Sequence, residues 1–213
     1  GMDPKHNPEF TTIELYQAYA DFNDMMDLFE DLLTSAAQKL LGTYQLEWQG
    51  EKLDLTPGWP RLPMHEAVKQ YCGIDFMAIT SDEEAVAAAK SIGVELPETA
   101  DKTWGNALYE CFDQKVEEKL IQPTFITMHP VDVSPLAKRS PKDPRLTERF
   151  ELFICHSEMG NAFSELNDPI DQRQRFQKQV ELRAKGDDEA GMMDEDFLTA
   201  LESGMPPTGG LGI

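Results

Sequence analysis

The chain has 213 residues, 40% hydrophobic and 27% charged, which is typical of a folded globular protein and not of a disordered chain. Its formal net charge is −20 at pH 7, and such an acidic surface argues against general binding of nucleic-acid phosphates. The same charge favours a cationic substrate.

The three cysteines, Cys72, Cys111 and Cys155, are odd in number, widely spaced and without a C-x-x-C pair. They indicate reduced thiols rather than a disulfide framework or a zinc site. No apolar run approaches membrane-spanning length, and no signal peptide opens the sequence. We therefore expect a cytoplasmic protein with no membrane partner.

The first predicted element is a strand over residues 10–19, where two sets of positions alternate. Thr12, Glu14 and Tyr16 share one face, and the more apolar face opposite them is expected to pack on a helix. Glu14 and Tyr16 then lie in a cleft or, as is more common, on an exposed strand surface.

A long helix is predicted over residues 21–41, where apolar residues recur at spacings of three and four. Asp21 is a suitable N-cap and Gly42 a suitable C-cap. Such a stripe predicts a helix that packs on the core and has no chemical role.

Short strands and helices follow in the middle of the chain. In order, the sequence predicts a hairpin that turns at Gln49-Gly50, an extended segment over residues 59–63, helices over 64–71, 82–92 and 102–120, and a strand over 124–128. The domain organisation predicted is a first part of the core (1–73), a helical insertion without recognisable chemistry (74–122) and a second part of the core (123–213).

Residues 129–149 are predicted to form an irregular, proline-rich loop. It holds the main concentration of positive charge in the sequence, namely Lys138, Arg139, Lys142, Arg145 and Arg149. Such a loop is usually solvated, and a phosphate-facing role is the alternative. The sequence after it predicts helices over 168–185 and 194–203 and a glycine-rich loop over 206–212, whose backbone could approach a nucleotide.

Residues 151–168, ELFICHSEMGNAFSELND, are predicted to be one long strand. Asn161, Phe163 and Glu165 share one face. Glu158 has the opposite parity, and a β-bulge at Met159-Gly160 would bring it onto that face. Two carboxylates on one open face suit a Mg²⁺ ion that holds a phosphate, whereas the ordinary alternative is an edge strand with two solvated acids.

Four segments resemble, in order and at family spacing, the bacterial-type class II lysyl-tRNA synthetases. They are HNPEFTTIELYQAYADF (6–22), similar to the second half of motif 2, then MHPVDVSPLAKR (128–139), SEMGNAFSELND (157–168), similar to the motif before motif 3, and GMPPTGGLGI (204–213). The resemblance covers essentially the whole chain. It implies an α+β fold with a mainly antiparallel sheet flanked by helices and a helical insertion.

The resemblance also implies a reaction and its residues. Lysine would be joined to the α-phosphate of ATP and then passed to tRNA-Lys, with Mg²⁺ as cofactor and no covalent enzyme nucleophile. The residues implied for lysine are Glu14, Tyr16, Asn161, Phe163 and Glu165. Those implied for ATP are His6, Phe10 (stacked on adenine), Glu158 and Glu165, with Glu158 and Glu165 as the Mg²⁺ ligands.

Several family elements would lie outside this sequence. An Arg-x-Glu of motif 2 would precede Gly1, and the motif 3 arginine would follow Ile213. Motif 1, the main dimer element, and an N-terminal anticodon-binding domain are not in the sequence either. The resemblance therefore implies a longer, homodimeric parent protein, and a chain that is inactive or nearly so by itself.

Three other functions stay open on the sequence alone. One is a lysyl-synthetase paralogue that modifies a translation factor instead of tRNA. Another is a non-catalytic module that binds lysine or a nucleotide. The third is an acidic metal-dependent hydrolase around Glu158 and Glu165, although the sequence offers no metal-ligating histidine cluster for it.

Overall fold

The computed structural model describes Asn7, residues 9–187 and residues 190–213. In these ranges the strands are β1 Glu14–Ala18, β2 Gln45–Trp48, β3 Glu51–Asp54, β4 Arg61–Pro63, β5 Thr124–Thr127, β6 Arg149–Ile154, β7 Ser157–Ser164 and β8 Thr208–Gly212. The helices are α1 Phe22–Leu41, α2 Met64–Cys72, α3 Asp82–Ser91, α4 Trp104–Lys115, α5 Pro169–Ala184 and α6 Glu195–Glu202, with short 3-10 turns at Phe76–Ala78, Glu117–Lys119 and Val131–Val133.

Six of the strands form one sheet in the order β1-β8-β7-β6-β5-β4, and β2 and β3 form a separate hairpin. Every neighbouring pair in the large sheet is antiparallel except β4 with β5. The prediction of an α+β fold with a mainly antiparallel sheet flanked by helices is confirmed. None of the helices in the described ranges is long and apolar enough to cross a lipid bilayer.

Helix α1 covers one face of this sheet. Asp21 caps its N-terminus in a capping box, and Gly42 ends it in the left-handed conformation at φ 69°, as the sequence predicted. Its fully buried Phe29 joins the apolar residues that β5, β6, β7 and β8 turn to the same side. The helix lies close to the sheet because Gly160 and Gly209 present no side chain to it.

Helices α2, α3 and α4 cover part of the opposite face, where Ile126 and Phe153 of the sheet belong to their hydrophobic cluster. Ser81 caps α3 as predicted. The single helix predicted over 102–120 is wrong in its bounds, because α4 ends at Lys115 and a 3-10 turn follows. These helices share a hydrophobic cluster with the sheet, so the structure does not separate residues 74–122 from the rest of the core. That these residues form an insertion stays a prediction.

The prediction of one long strand over residues 151–168 is wrong, because β6 and β7 are two strands of a hairpin. The chain reverses at Cys155 and His156, which have φ values of 51° and 62°, the backbone of a two-residue type I′ turn. Their N–H groups donate to the carbonyls of Leu120 and Ile121, so a neighbouring segment holds the turn in place.

The β-bulge predicted at Met159-Gly160 is confirmed. Gly160 pairs with Leu152 and Glu158 pairs with Phe153, so Met159 is the extra residue. Because residues opposite each other in an antiparallel pair share a face, the bulge places Glu158 on the face that carries Asn161.

Two other predicted elements differ in extent. The strand predicted over residues 10–19 is limited to β1, Glu14–Ala18. The glycine-rich segment predicted as a loop forms β8, which pairs with β1 on one side and β7 on the other. Successive glycines can serve as a strand here because neighbours on both sides supply the hydrogen bonds.

Candidate active site

Five residues from two strands that are not neighbours line one cavity of about 150 Å³. They are Glu14 and Tyr16 on β1 and Asn161, Phe163 and Glu165 on or just after β7, with Gly210, Leu211 and Gly212 of β8 between them. The register explains the arrangement, because Gly212 pairs with both Glu14 and Asn161, and Gly210 pairs with both Tyr16 and Phe163. The structure thus brings together all five residues that the resemblance implied for lysine.

The floor of the cavity requires glycine at position 210. A Cβ atom there would lie 2.1 Å from Oε1 of Glu165 and 3.0 Å from Cε1 of Tyr16. The carboxylate and the aromatic ring therefore both rest on the bare backbone of Gly210, and the space that remains above it suits a small, narrow ligand.

The electrostatics of the cavity favour a cation. Burial alone raises the pKa of Glu165 to about 7, and no cation among the described residues offsets it. Burial, followed by the charges of Glu14 and Glu165, also raises the pKa of Tyr16. Two carboxylates and a phenol with no basic side chain in the lining would be stabilised by a bound ammonium ion.

A second pair of carboxylates lies on the same face, at the other end of the β6–β7 hairpin. Glu151 pairs with Asn161, and Glu158 pairs with Phe153 two positions further along β6. Glu158 has an exposed side, but neighbouring protein atoms keep water from part of its carboxyl group. This partial desolvation is the main reason that its pKa is raised to about 7, and the negative charge of Glu151 is the second.

Glu151 differs from Glu158 because it is buried and lies beside Arg149 and His129. One of its oxygens accepts from Arg149 at 2.5 Å, and the other lies 3.3 Å from Nε2 of His129. Burial by itself would raise the pKa of Glu151, but His129 and Arg149 outweigh it and lower the pKa below its usual value. Glu151 is therefore an ionised carboxylate beside Glu158.

The length of the strand argues against one Mg²⁺ ion shared by Glu158 and Glu165, the pair that the resemblance implied. Glu158 is the second residue of β7 and Glu165 directly follows its last residue, Ser164, so a rise of about 3.3 Å per residue separates them by roughly 20 Å. A shared ion needs ligands within about 2.1 Å of it. The nearby carboxylate is Glu151, which the sequence reasoning missed; recognising the hairpin would have found it, because pairing places Glu151 next to Asn161.

The donor set around Glu158 is compatible with Mg²⁺. The described ranges contain no group of three or more His, Cys, Asp or Glu side chains that could hold a metal ion. Mg²⁺, however, is usually bound through one or two carboxylates together with water and substrate phosphates. Glu151 and Glu158 fit this requirement in ligand type and number.

The remaining predicted residues contribute less to the site. His6 lies outside the described residues. Phe10 precedes β1 and is 79% exposed, so it does not form a wall of the cavity. In the basic cluster, Arg139 and Arg145 form ion pairs with Asp171 and Asp143, and only Arg149 belongs to the site.

Helix α4 also reaches this face, although the sequence indicated no chemistry for it. The pKa values of Tyr109 and Asp113 are raised mainly by burial and secondly by the negative charge of Glu151. Both residues therefore lie close enough to the carboxylate pair to contribute to its electrostatic environment.

The sheet with its helices, the acidic cavity and the carboxylate pair define the catalytic core of a class II aminoacyl-tRNA synthetase. The sequence profile of the tRNA synthetases class II (D, K and N) matches residues 1–213, and the chain belongs to this family. Within the family it is similar to the "Lysine--tRNA ligase" of Pelotomaculum thermopropionicum (57% identical), Staphylococcus haemolyticus (56%) and Carboxydothermus hydrogenoformans (55%).

These alignments cover the whole of this chain over 213 residues but only 42%, 42% and 43% of the relatives. The chain therefore spans less than half the length of the curated proteins that it matches. Its similarity to them concerns the region that contains the cavity.

Proposed function

We propose that the polypeptide containing this chain is a lysine–tRNA ligase and that the chain supplies its amino-acid cavity. The observation that carries the proposal is the convergence of two carboxylates and a phenol on a narrow cavity of about 150 Å³. The reaction would join lysine to the α-phosphate of ATP with release of pyrophosphate, and then transfer the lysyl group to tRNA-Lys. The relatives at 57% and 56% identity are lysine–tRNA ligases by name, which supports this choice within the family.

The arrangement of the acidic groups suits the ammonium group of a long side chain. Glu14 lies level with Asn161, because both pair with Gly212, while Tyr16 lies level with Phe163. Glu165 lies beyond Phe163, over Gly210. Both carboxylates lie close to the phenol of Tyr16, because both raise its pKa and Glu14 shares a side-chain hydrogen bond with it. Glu14, Glu165 and Tyr16 would therefore bind the ε-ammonium group of lysine together.

Discrimination between amino acids follows from the same arrangement. An uncharged side chain of similar length would leave the half-buried Glu165 without a partner, which is more costly than the loss of an apolar contact. The ring of Phe163 forms part of the cavity wall and would pack against the methylene stem. We therefore expect lysine to bind and norleucine, which lacks only the ammonium group, to be rejected.

The carboxylates of Glu158 and Glu151 would hold Mg²⁺ next to this cavity. A Mg²⁺ ion there would neutralise phosphate oxygens of ATP and help to orient the α-phosphate. The protein's own part is to align the lysine carboxylate with that phosphate, which converts the attack into a nearly unimolecular step. A homodimeric, cytoplasmic parent and tRNA-Lys as acceptor complete the proposal and rest on the family resemblance.

Calorimetric titration of lysine into the 213-residue chain tests the proposal. We expect one lysine to bind per chain, norleucine not to bind, and Glu165→Gln to reduce lysine affinity by roughly 100-fold, because the bound ammonium group would lose a charged partner in a largely desolvated cavity. Glu83→Gln, an exposed acid on α3, is the matched control and should bind lysine normally. Equal binding of norleucine, or lysine binding that survives Glu165→Gln, would overturn the lysine assignment.

The ligase activity needs its own test on the polypeptide that carries the chain. Lysine-dependent exchange of pyrophosphate into ATP measures adenylate formation. We expect Glu158→Gln to reduce this exchange strongly and to leave lysine affinity nearly unchanged, because Glu158 lies roughly 20 Å along β7 from Glu165. Exchange that does not depend on lysine would contradict the proposed reaction.

A further inference from the structure

Arg149 lies between the cavity and the carboxylate pair and makes hydrogen bonds to both. Its Nε donates to Oδ1 of Asn161 at 2.9 Å, and one terminal nitrogen donates to Oε1 of Glu151 at 2.5 Å. The other terminal nitrogen donates to the Val133 carbonyl at 2.6 Å and to the Ser134 hydroxyl at 3.2 Å. One guanidinium therefore contacts a cavity residue, a carboxylate of the pair and a fixed support.

The fold holds this guanidinium in place. Arg149 and Glu151 alternate on β6 and face the same side, and their partners on β7 are Phe163 and Asn161. Val133 ends the 3-10 turn Val131–Val133, which is outside the sheet. The guanidinium forms hydrogen bonds at three separate points, and only 16% of the side chain is exposed. The planar group therefore cannot easily rotate.

The contact with Asn161 determines which end of its amide faces the cavity. A guanidinium has donors only, so the amide atom that it contacts must be the oxygen. The NH₂ group of Asn161 is then directed away from Arg149, and Asn161 lines the cavity. The cavity consequently offers a hydrogen-bond donor beside Glu14, an acceptor. The amide donor is complementary to the carboxylate of an amino acid, and the acidic groups are complementary to its ammonium group.

The contact with Glu151 has a parallel effect on the carboxylate pair. Arg149 and His129 hold the two oxygens of Glu151 from two directions, at 2.5 and 3.3 Å. The carboxylate is thereby fixed in orientation beside Glu158. Loss of the guanidinium would release both the Asn161 amide and the Glu151 carboxylate.

We propose that Arg149 is a positioning residue that directs the Asn161 amide toward the substrate carboxylate and links the amino-acid cavity to the Glu151–Glu158 pair. The inference rests on the proposed function, since it takes the ligand to be an amino acid. Arg149 acts through Asn161 and Glu151 and does not contact the substrate itself.

The test compares lysine with cadaverine, which has both ammonium groups of a diamine and no carboxylate. In calorimetry, we expect Arg149→Lys to reduce lysine affinity by roughly 30-fold and to change cadaverine affinity by less than about twofold, because only lysine uses the oriented amide. If Arg149 had only a structural role, the variant would lose affinity for lysine and for cadaverine equally, and that result would overturn the inference. Arg173→Lys, in an exposed ion pair on α5, is the matched control.

A second variant keeps the inference testable if Arg149→Lys does not fold, as judged by its thermal transition. Asn161→Asp retains acceptors for Arg149 and removes the donor, so it should show the same selective loss for lysine. The double variant should lose little more than either single variant, because both changes remove one interaction. Additive losses, or a selective loss in neither single variant, would overturn the inference.

The wild-type titration separates this inference from the proposed function. If the wild-type chain binds cadaverine and lysine equally, no carboxylate is recognised and the role of Arg149 is wrong, while a site for diamines remains. If the wild-type chain binds neither, the amino-acid cavity itself is wrong and the role of Arg149 falls with it. Preference for lysine that Arg149→Lys leaves intact overturns only the role of Arg149.

Discussion

The two faces of the six-stranded sheet are built from alternate residues of the same strands, but different forces shape them. On β6, Phe150 and Leu152 face α1 and are fully buried, whereas Arg149 and Glu151 face the candidate active site. On β7, Ala162 is in the α1 core and Asn161 lines the cavity. The first face is stabilised by close packing, and the second by hydrogen bonds and ion pairs.

The comparison shows how a polar site obtains its geometry from an apolar core. A slip of one residue in any strand would exchange the two faces, so the burial of Phe150, Leu152 and Ala162 specifies the register. The same register places Glu14, Tyr16, Asn161 and Phe163 around β8. The cavity residues need little attraction for one another, and two of them are carboxylates that repel.

The largest expected effect comes from adding a methyl group on the packed face. At Gly160 a Cβ atom would lie 2.6 Å from the carbonyl oxygen of Gly212 and 2.8 Å from Phe29. The oxygen belongs to backbone and cannot move aside, so we expect Gly160→Ala to lower the free energy of unfolding by about 3 kcal/mol, measured by urea denaturation.

Gly191→Ala is the control for this variant, because its Cβ atom would meet nothing closer than 4.0 Å. It should change the free energy of unfolding by less than about 0.5 kcal/mol. Equal stability of Gly160→Ala and the wild type would show that α1 does not pack as closely on the sheet as described, and the comparison of the two faces would fail.

The same substitution on the site face should affect binding more than folding. At Gly210 the colliding groups are the carboxylate of Glu165 and the ring of Tyr16, which can rotate away into the cavity. We expect Gly210→Ala to reduce lysine affinity by roughly 30-fold and to cost less than about 1 kcal/mol of folding stability. A stability loss as large as that of Gly160→Ala, with affinity retained, would contradict this distinction.

The sequence was sufficient to predict features that depend on local pattern. The 3.6-residue stripe and its caps at Asp21 and Gly42 predicted α1, and strand alternation predicted that Asn161 and Phe163 share a face. The glycine after Met159 predicted the bulge that turns Glu158 to the site. In each case the residues that determine the structure are adjacent in sequence.

The features that could not be predicted depend on distant segments. Cys155 and His156 are not usual residues for a type I′ turn, and carbonyls of Leu120 and Ile121 hold them there. Without this turn the hairpin was missed, and with it the pairing that places Glu151 near Glu158. The glycines of β8 likewise form a strand only because β1 and β7 lie on either side.

A smaller effect should appear as a pH dependence of lysine binding. Burial raises the pKa of the Glu165 carboxyl from 4.5 to about 7, so near neutral pH the free chain is partly protonated there. An ammonium ligand requires the ionised form. Lysine affinity should therefore rise by roughly tenfold between pH 6 and pH 8, with proton release on binding, as measured by calorimetry in two buffers.

The raised pKa of Glu165 also makes the stability of the fold depend on pH. A carboxyl whose pKa is raised in the folded state binds its proton more tightly than in the unfolded chain, so its contribution favours folding at low pH and declines as pH rises from about 4.5 to 7. Glu165→Gln should remove this decline and the pH dependence of lysine binding together. A wild-type affinity that is constant from pH 6 to pH 8 would mean that Glu165 is ionised throughout.

The smallest expected effect tests whether the two faces are independent. Asp21 accepts from the N–H of Asn23 at 2.7 Å and its own N–H donates to Asp24 at 2.8 Å, so Asp21→Ala should cost about 1 kcal/mol of stability. The N–H of Phe22 donates to the hydroxyl of Ser164 on β7, which is the route by which a frayed helix could disturb the cavity. Because the core holds the register of β7 along its whole length, we expect calorimetric lysine affinity to stay within about twofold of wild type. A larger loss of affinity in a variant that is fully folded would show that the start of α1 positions Glu165 directly. The N-cap of a helix that otherwise only packs on the sheet would then be one of the determinants of the site.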